Sequence, residues 1–279
     1  MSSKEIEKIT ADWVVTPPAV YFKFKEAIEN PDSSFSEFSS ILSGDPGLLA
    51  RLLKIVNSPY YGLTATVETV EHAMTIVGLT QLSELVLATT VMNEFQGVPK
   101  DMLKLGKFWE HSLAVGVGAQ IISKHRKESN VERFYIAGML HDIGVLAACK
   151  KAPEKMVQAM ALSRSDQIPL QVAERQIMGF SHIEIGVSLL KAWNLPTRLL
   201  DAVGFHHNPS EAKRNPLESA TIHLADWIAY KLGLGDSGQP DAPELDTKAL
   251  SMLDIDKDDL DLISKEVIDQ FTEAVTVFL

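Results

Sequence analysis

Five of the eight histidines in this chain, His111, His141, His182, His206 and His207, occupy contexts that recur together with a His-Asp pair. His141 is followed directly by Asp142, His206 by His207, and a later His223-Leu224-Ala225-Asp226 run ends on a second aspartate. Imidazole and carboxylate are the ligands that suit iron, manganese, zinc and nickel. Five histidines and two aspartates are more than one ion needs, and they match a pair of divalent ions sharing a bridging carboxylate. An isolated His-Asp pair also has a plain structural reading, a core histidine beside an aspartate that a neighbouring donor satisfies. The recurrence of the other histidines is what favours metal chemistry.

The elements that must position these groups read as helix after helix. Glu132 to Cys149 is apolar nearly all round and predicts one buried helix with His141 and Asp142 in its middle. A carboxylate there is costly unless paired or bound to metal. Further helical patterning runs over 108–122, 171–177, 183–193, 198–203 and 218–232. In the first third, Ser34 with Glu37 makes a capping box, Asp45-Pro46 an N-cap with proline at the first helical position, and Gly78 a stop. Leu48, Leu52 and Val56 share one face of the helix that Asp45 starts. Nothing in this third alternates as a strand should, so the fold class is all-α. Gly233 to Pro240, rich in glycine, predicts a flexible connector, and the tail from Asp246 carries amphipathic helical patterning.

Composition bounds the rest. The 279 residues hold 26 Lys+Arg against 37 Asp+Glu, a formal charge of −11, with 46% hydrophobic content. That is a packed chain, and its acidity opposes diffuse binding to nucleic acid or anionic lipid. A phosphate ligand would need a strong local positive charge. One cysteine, Cys149, excludes an intramolecular disulfide framework and reads as a small buried hydrophobe. With no signal-like or membrane-spanning run, the expectation is a soluble cytoplasmic protein. Three parts are expected: a helical N-terminal part over 1–97, a metal-site core over 98–235 and an amphipathic tail over 236–279.

The order His111, His141-Asp142, Asp226 resembles the signature of the HD superfamily of metal-dependent phosphohydrolases, and His182, His206 and His207 make it similar to the HD-GYP phosphodiesterases. A closer resemblance is to the HDOD family. It rests on Thr16-Pro17-Pro18-Ala19, Asp45-Pro46-Gly47-Leu48, Asn57-Ser58-Pro59-Tyr60-Tyr61-Gly62, Ala73 to Gly78, Gly138 to Gly144, Glu174 to His182 and Trp193-Asn194-Leu195-Pro196. The resemblance implies an HD-superfamily helical core with an N-terminal helical bundle, used in bacterial signal transduction. It also implies that His111, His141, Asp142 and Asp226 hold one ion, and that Asp142 bridges to a second held by His182, His206 and His207. Asp142 is thereby the candidate catalytic residue.

Two departures bear on activity. Active HD-GYP proteins follow the His-Asp-Ile-Gly run with lysine, where this chain has Val145, and the Gly-Tyr-Pro segment is replaced by Asn208-Pro209-Ser210. The favoured reading is a regulatory module whose metal pocket binds a signalling protein partner or a small nucleotide or phosphate ligand. The alternative is a working phosphohydrolase on a cyclic dinucleotide or nucleoside phosphate. His72 and His125 read as surface residues and His223 as structural. Tyr60 and Tyr61 read as locks on a turn or parts of an interface.

Overall fold

The computed structural model describes residues 18–58, 61, 63, 66–99, 102–240 and 243–278, and every regular element among them is helical. The chain divides into two compact units. One holds Gly97–Asp269, and the other holds the helices between Ala19 and Glu94 together with the chain from Gln270.

The smaller unit contains α1 (Ala19–Glu29), α2 (Phe35–Ser43), α3 (Pro46–Val56), α4 (Val70–Val77) and α5 (Leu79–Glu94). Ser34 and Asp45 are the expected N-caps, although Ser34 and Glu37 form only one of the two bonds of a capping box. Ser34 Oγ accepts from the Glu37 N–H at 3.3 Å, and Asp45 Oδ1 accepts from the Leu48 N–H at 3.0 Å ahead of Pro46. Leu48, Leu52 and Val56 of α3 are buried, and Gly78, at φ 84°, separates α4 from α5. The Asn57 side chain donates to Val67 O at 2.7 Å and accepts from Val67 N–H at 2.6 Å, which ties the turn across ten residues. Thr16, Pro17, Pro59, Tyr60 and Gly62 lie outside the described residues.

The larger unit contains α6 (Leu105–His125), α7 (Glu132–Leu140), α8 (Ile143–Lys151), α9 (Pro153–Asp166), α10 (Leu170–Met178), α11 (His182–Ala192), α12 (Thr197–Phe205), α13 (Pro216–Lys231), α14 (Thr247–Leu253) and, as far as Asp269, α15 (Lys257–Phe278). Helix α6 packs against both α7 and α13. Small residues set how near they come: a Cβ on Gly138 would stand 2.6 Å from Gly116 N, and one on Gly118 would stand 3.3 Å from the Ala225 methyl. That approach brings together the helices that carry His111, His141 and Asp226.

The expected continuous helix over Glu132–Cys149 is instead two helices, α7 and α8, broken at His141-Asp142. Neighbouring residues of a helix point about 100° apart. The break lets both side chains face one centre. Asp142 takes the N-cap position of α8 without capping it, which leaves its carboxylate free for other partners. The start of α8 also passes so close to α11 that a Cβ on Gly144 would lie 1.9 Å from His182 O.

The expected flexible connector is a packed strap. Gly235, at φ 80°, lies against the backbone of His111, where a Cβ would come within 2.2 Å of the amide nitrogen. The Asp236 N–H donates to Lys107 O at 2.9 Å, Tyr230 Oη and Ser237 Oγ are 2.8 Å apart, and Ser237 is fully buried. Glycine here supplies close approach and left-handed backbone rather than looseness.

Candidate metal centre

His111 comes from α6 and Asp226 from α13. His141 and Asp142 fill the break between α7 and α8, His182 is the first residue of α11, and His206 and His207 follow the end of α12. The fold brings all seven expected residues together, and all but the partly exposed His207 are buried.

Two groups of ligand atoms result, each with its members within 4.8 Å of one another: His111, His141 and Asp226, and then Asp142, His182, His206 and His207. In the first, His111 Nε2 is 3.0 Å and His141 Nε2 is 3.8 Å from Asp226 Oδ1. In the second, His182 Nε2 and His206 Nε2 are each 3.5 Å from Asp142 Oδ1, and the Nε2 atoms of His182 and His207 are 3.3 Å apart. Asp142 joins the groups, because its other oxygen, Oδ2, is 3.3 Å from His141 Nε2.

Three candidate ligands are aimed from behind. The Nδ1–H of His141 donates to Gly138 O and that of His206 to Val203 O, each at 2.7 Å. Both carbonyls sit in the last turn of a helix, where no further helical amide reaches them. His182 has a stronger partner: its Nδ1 lies 2.6 Å, and its backbone N 2.8 Å, from Oε2 of the fully buried Glu174. Glu174 belongs to no site in the sequence reading, although it opens the Glu174–His182 run that carries part of the resemblance. Its signal is an acidic residue eight positions before a ligand on a helix that packs inward.

The electrostatics follow from this packing. Burial opposes charge on His141, but Asp142 beside it outweighs burial and, with Asp226, brings the imidazole up to about 9. Burial likewise opposes charge on His182, and Glu174 and then Asp142 outweigh it and raise its pKa. For His207 burial dominates, and its neighbours His206 and His182 add to it, so this ring is held well below the usual histidine value. Burial would raise Asp142, yet His141, His206 and His182 hold its carboxyl well below the usual range.

The residues fit metal ions on one observation above the others. His141 Nε2, both oxygens of Asp142, His206 Nε2 and Asp226 Oδ2 are buried and make no hydrogen bond. Orphaned polar atoms are costly in a folded interior. Ligand atoms about 2.0–2.2 Å from an ion stand roughly 3.0–3.5 Å from one another, close to the separations found here.

Remaining residues take ordinary roles. His223 lies beside the centre but spends both ring nitrogens on backbone, donating from Nδ1 to His206 O at 2.7 Å and accepting at Nε2 from the Asp246 N–H at 2.9 Å. Val145 is fully buried. Tyr230 backs His111 edge-on, with ring centroids 5.0 Å apart.

Fold and site together define an all-helical protein with a buried cluster of histidine and aspartate suited to divalent metal. The chain belongs to the HDOD family, whose domain matches residues 14–209, well over half of its length. An uncharacterized protein of Treponema pallidum (strain Nichols) is 28% identical over 192 residues, which cover 68% of this chain and 37% of the relative. The chain thus matches well under half of that relative's length. Among solved structures, an HDOD domain protein of unknown function from Geobacter sulfurreducens aligns with TM-score 0.81 at 22% identity, over 99% of this chain and 98% of its own. A protein described as a candidate phosphohydrolase, from Shewanella amazonensis SB2B, aligns with TM-score 0.75 at 23% identity, over 98% of each chain. These likenesses establish the fold. Among the described residues no single helix is long and apolar enough to cross a membrane.

Proposed function

We propose that this HDOD protein is a cytoplasmic signal-transduction module whose larger unit holds two divalent ions and uses them to bind a phosphate-bearing ligand, a small nucleotide or a phosphorylated partner. The observation that carries this reading is the convergence of buried nitrogen and oxygen atoms from His141, Asp142, His206 and Asp226 that make no hydrogen bond. His111, His141, Asp226 and one oxygen of Asp142 would hold one ion. The other oxygen of Asp142, with His182, His206 and His207, would hold the second, and the identity of the metal lies among iron, manganese, nickel and zinc. Bound there, the ions polarise phosphoryl oxygens and activate water.

The chain's own groups do the rest. Gly138 O, Val203 O and Glu174 keep the Nε2 lone pairs of three histidines turned inward. The apolar walls of α7 and α8 exclude water from behind Asp142. The negative charge of Asp142 and Asp226 is used on cations, so a chain of charge −11 can present a locally positive pocket.

Val145 supports binding over turnover: a buried aliphatic stands where active HD-GYP relatives carry a phosphate-binding lysine. The hydrolase reading keeps one observation in its favour, that all seven ligands are in place. Elemental analysis of protein prepared anaerobically with Mn²⁺ or Fe²⁺ and no chelator tests the metal. Two ions per chain and a raised melting temperature are expected, and a metal-free result would sink both readings. Turnover of a nucleoside phosphate or cyclic dinucleotide, abolished by His141→Ala, would replace the binding reading with the enzymatic one.

A further inference from the structure

A cavity of about 370 Å³ opens at the edge of the metal cluster, within the range of small-molecule sites, roughly 300–1,000 Å³. His207, the partly exposed ligand, lines it, so the cavity and the centre share a wall. Its other walls come from the turn between α9 and α10, from the residue after His207, and from the strap.

What lines the cavity is unusual in kind. Gln167, Gln171, Asn208 and Gln239 are all side-chain amides, and none of the four makes a side-chain hydrogen bond among the described residues. Gln239 is 7% exposed, so water does little to satisfy it. Pro169, Pro240 and Pro243 add rigid apolar faces. Among the described residues that line the cavity there is no lysine or arginine, and Glu244 is the one carboxylate. A second phosphate placed here would find no cation among these residues and would meet Glu244. An uncharged group with donors and acceptors side by side would find amides, each offering both. Pairing of a glutamine or asparagine with the edge of a base is a common use of that geometry.

We propose that this cavity seats the base of a nucleoside monophosphate whose single phosphate lies at the His207 end, against the metal centre. The base site stands on the cavity itself, and only the placing of the phosphate rests on the metal reading. A ligand with two bases and two phosphates fits the cavity less well than one with a single base and a single phosphate.

The test is calorimetric titration of the full chain, treated with chelator, with adenosine, guanosine, cytidine and uridine in turn. Saturable binding of at least one is expected, weakened about tenfold in Gln171→Ala, as loss of a ligand hydrogen bond gives. Gln239→Leu should weaken it similarly, and the half-buried Gln171 on α10 keeps the test decisive if the strap variant does not fold. No binding of any nucleoside, unchanged binding in Gln171→Ala, or displacement of the nucleoside by ribose 5-phosphate at equal concentration would overturn the proposal. Repeating the titration with Mn²⁺ separates the two readings: tighter binding of the monophosphate than of its nucleoside supports both. Nucleoside binding with no gain from metal and phosphate would keep the base site and remove the metal centre.

Discussion

Glu174 Oε2 receives both the backbone N–H and the ring Nδ1–H of His182, at 2.8 and 2.6 Å, from inside a fully buried site. One carboxylate thus fixes the position, the ring orientation and the tautomer of a single ligand. Replacing Glu174 by Gln keeps the shape but lets the amide present its NH₂ to the ring. Metal affinity should fall about 10- to 100-fold, the usual effect of losing such a supporting group. Equilibrium dialysis with elemental analysis measures it, and unchanged affinity would deny Glu174 its role.

Gly144 is the point where α8 slides past the first turn of α11. An added methyl would lie 1.9 Å from His182 O, a backbone atom that cannot swing aside. Gly144→Ala should therefore destabilise the larger unit by about 3 kcal/mol or more and displace His182. Chemical denaturation reports the first effect and metal stoichiometry the second.

Alkaline stability should be set partly in the smaller unit. Tyr21 is buried, and burial, followed by Glu84 and Glu29, pushes its phenol up to about 12. A raised folded value favours the protonated form in the native state. Its contribution is complete below about pH 10, the unfolded value, and is lost as pH rises towards 12. Up to roughly 2 kcal/mol is at stake. Denaturation of Tyr21→Phe across this range should show a shallower decline than the wild type.

Cys149 should be silent while the protein is folded. It is 1% exposed, and burial, then Glu174, pushes the thiol up to about 12. A thiol reagent at pH 8 should label none of the native protein within minutes and all of it in guanidinium. Rapid labelling of the native chain would contradict its placement.

The candidate metal ligands were legible because their chemistry belongs to residue type: His111, His182 and Asp226 need no geometry to be recognised as donors. Caps were legible because Ser34 and Asp45 act on residues three positions away. What escaped depends on contacts between distant segments. The hydrophobic pattern through His141 and Asp142 is unbroken, so only packing on α11 reveals the break. Gly233 to Pro240 has the composition of a linker, and its order comes from Lys107 and Tyr230. Helix α9 went unassigned because its buried stripe, Met156, Ala159, Met160 and Ser163, offers little hydrophobic contrast.

The strap carries a lesson about where this module ends. The family match stops at residue 209, before Asp226 is reached and before Gly235 folds back over His111. A fragment cut at that border would keep six of the seven candidate ligands yet lose Asp226 and the segment that packs on the backbone of His111. Any truncation, fusion or domain graft that is meant to preserve the centre must carry the chain at least through Gln239.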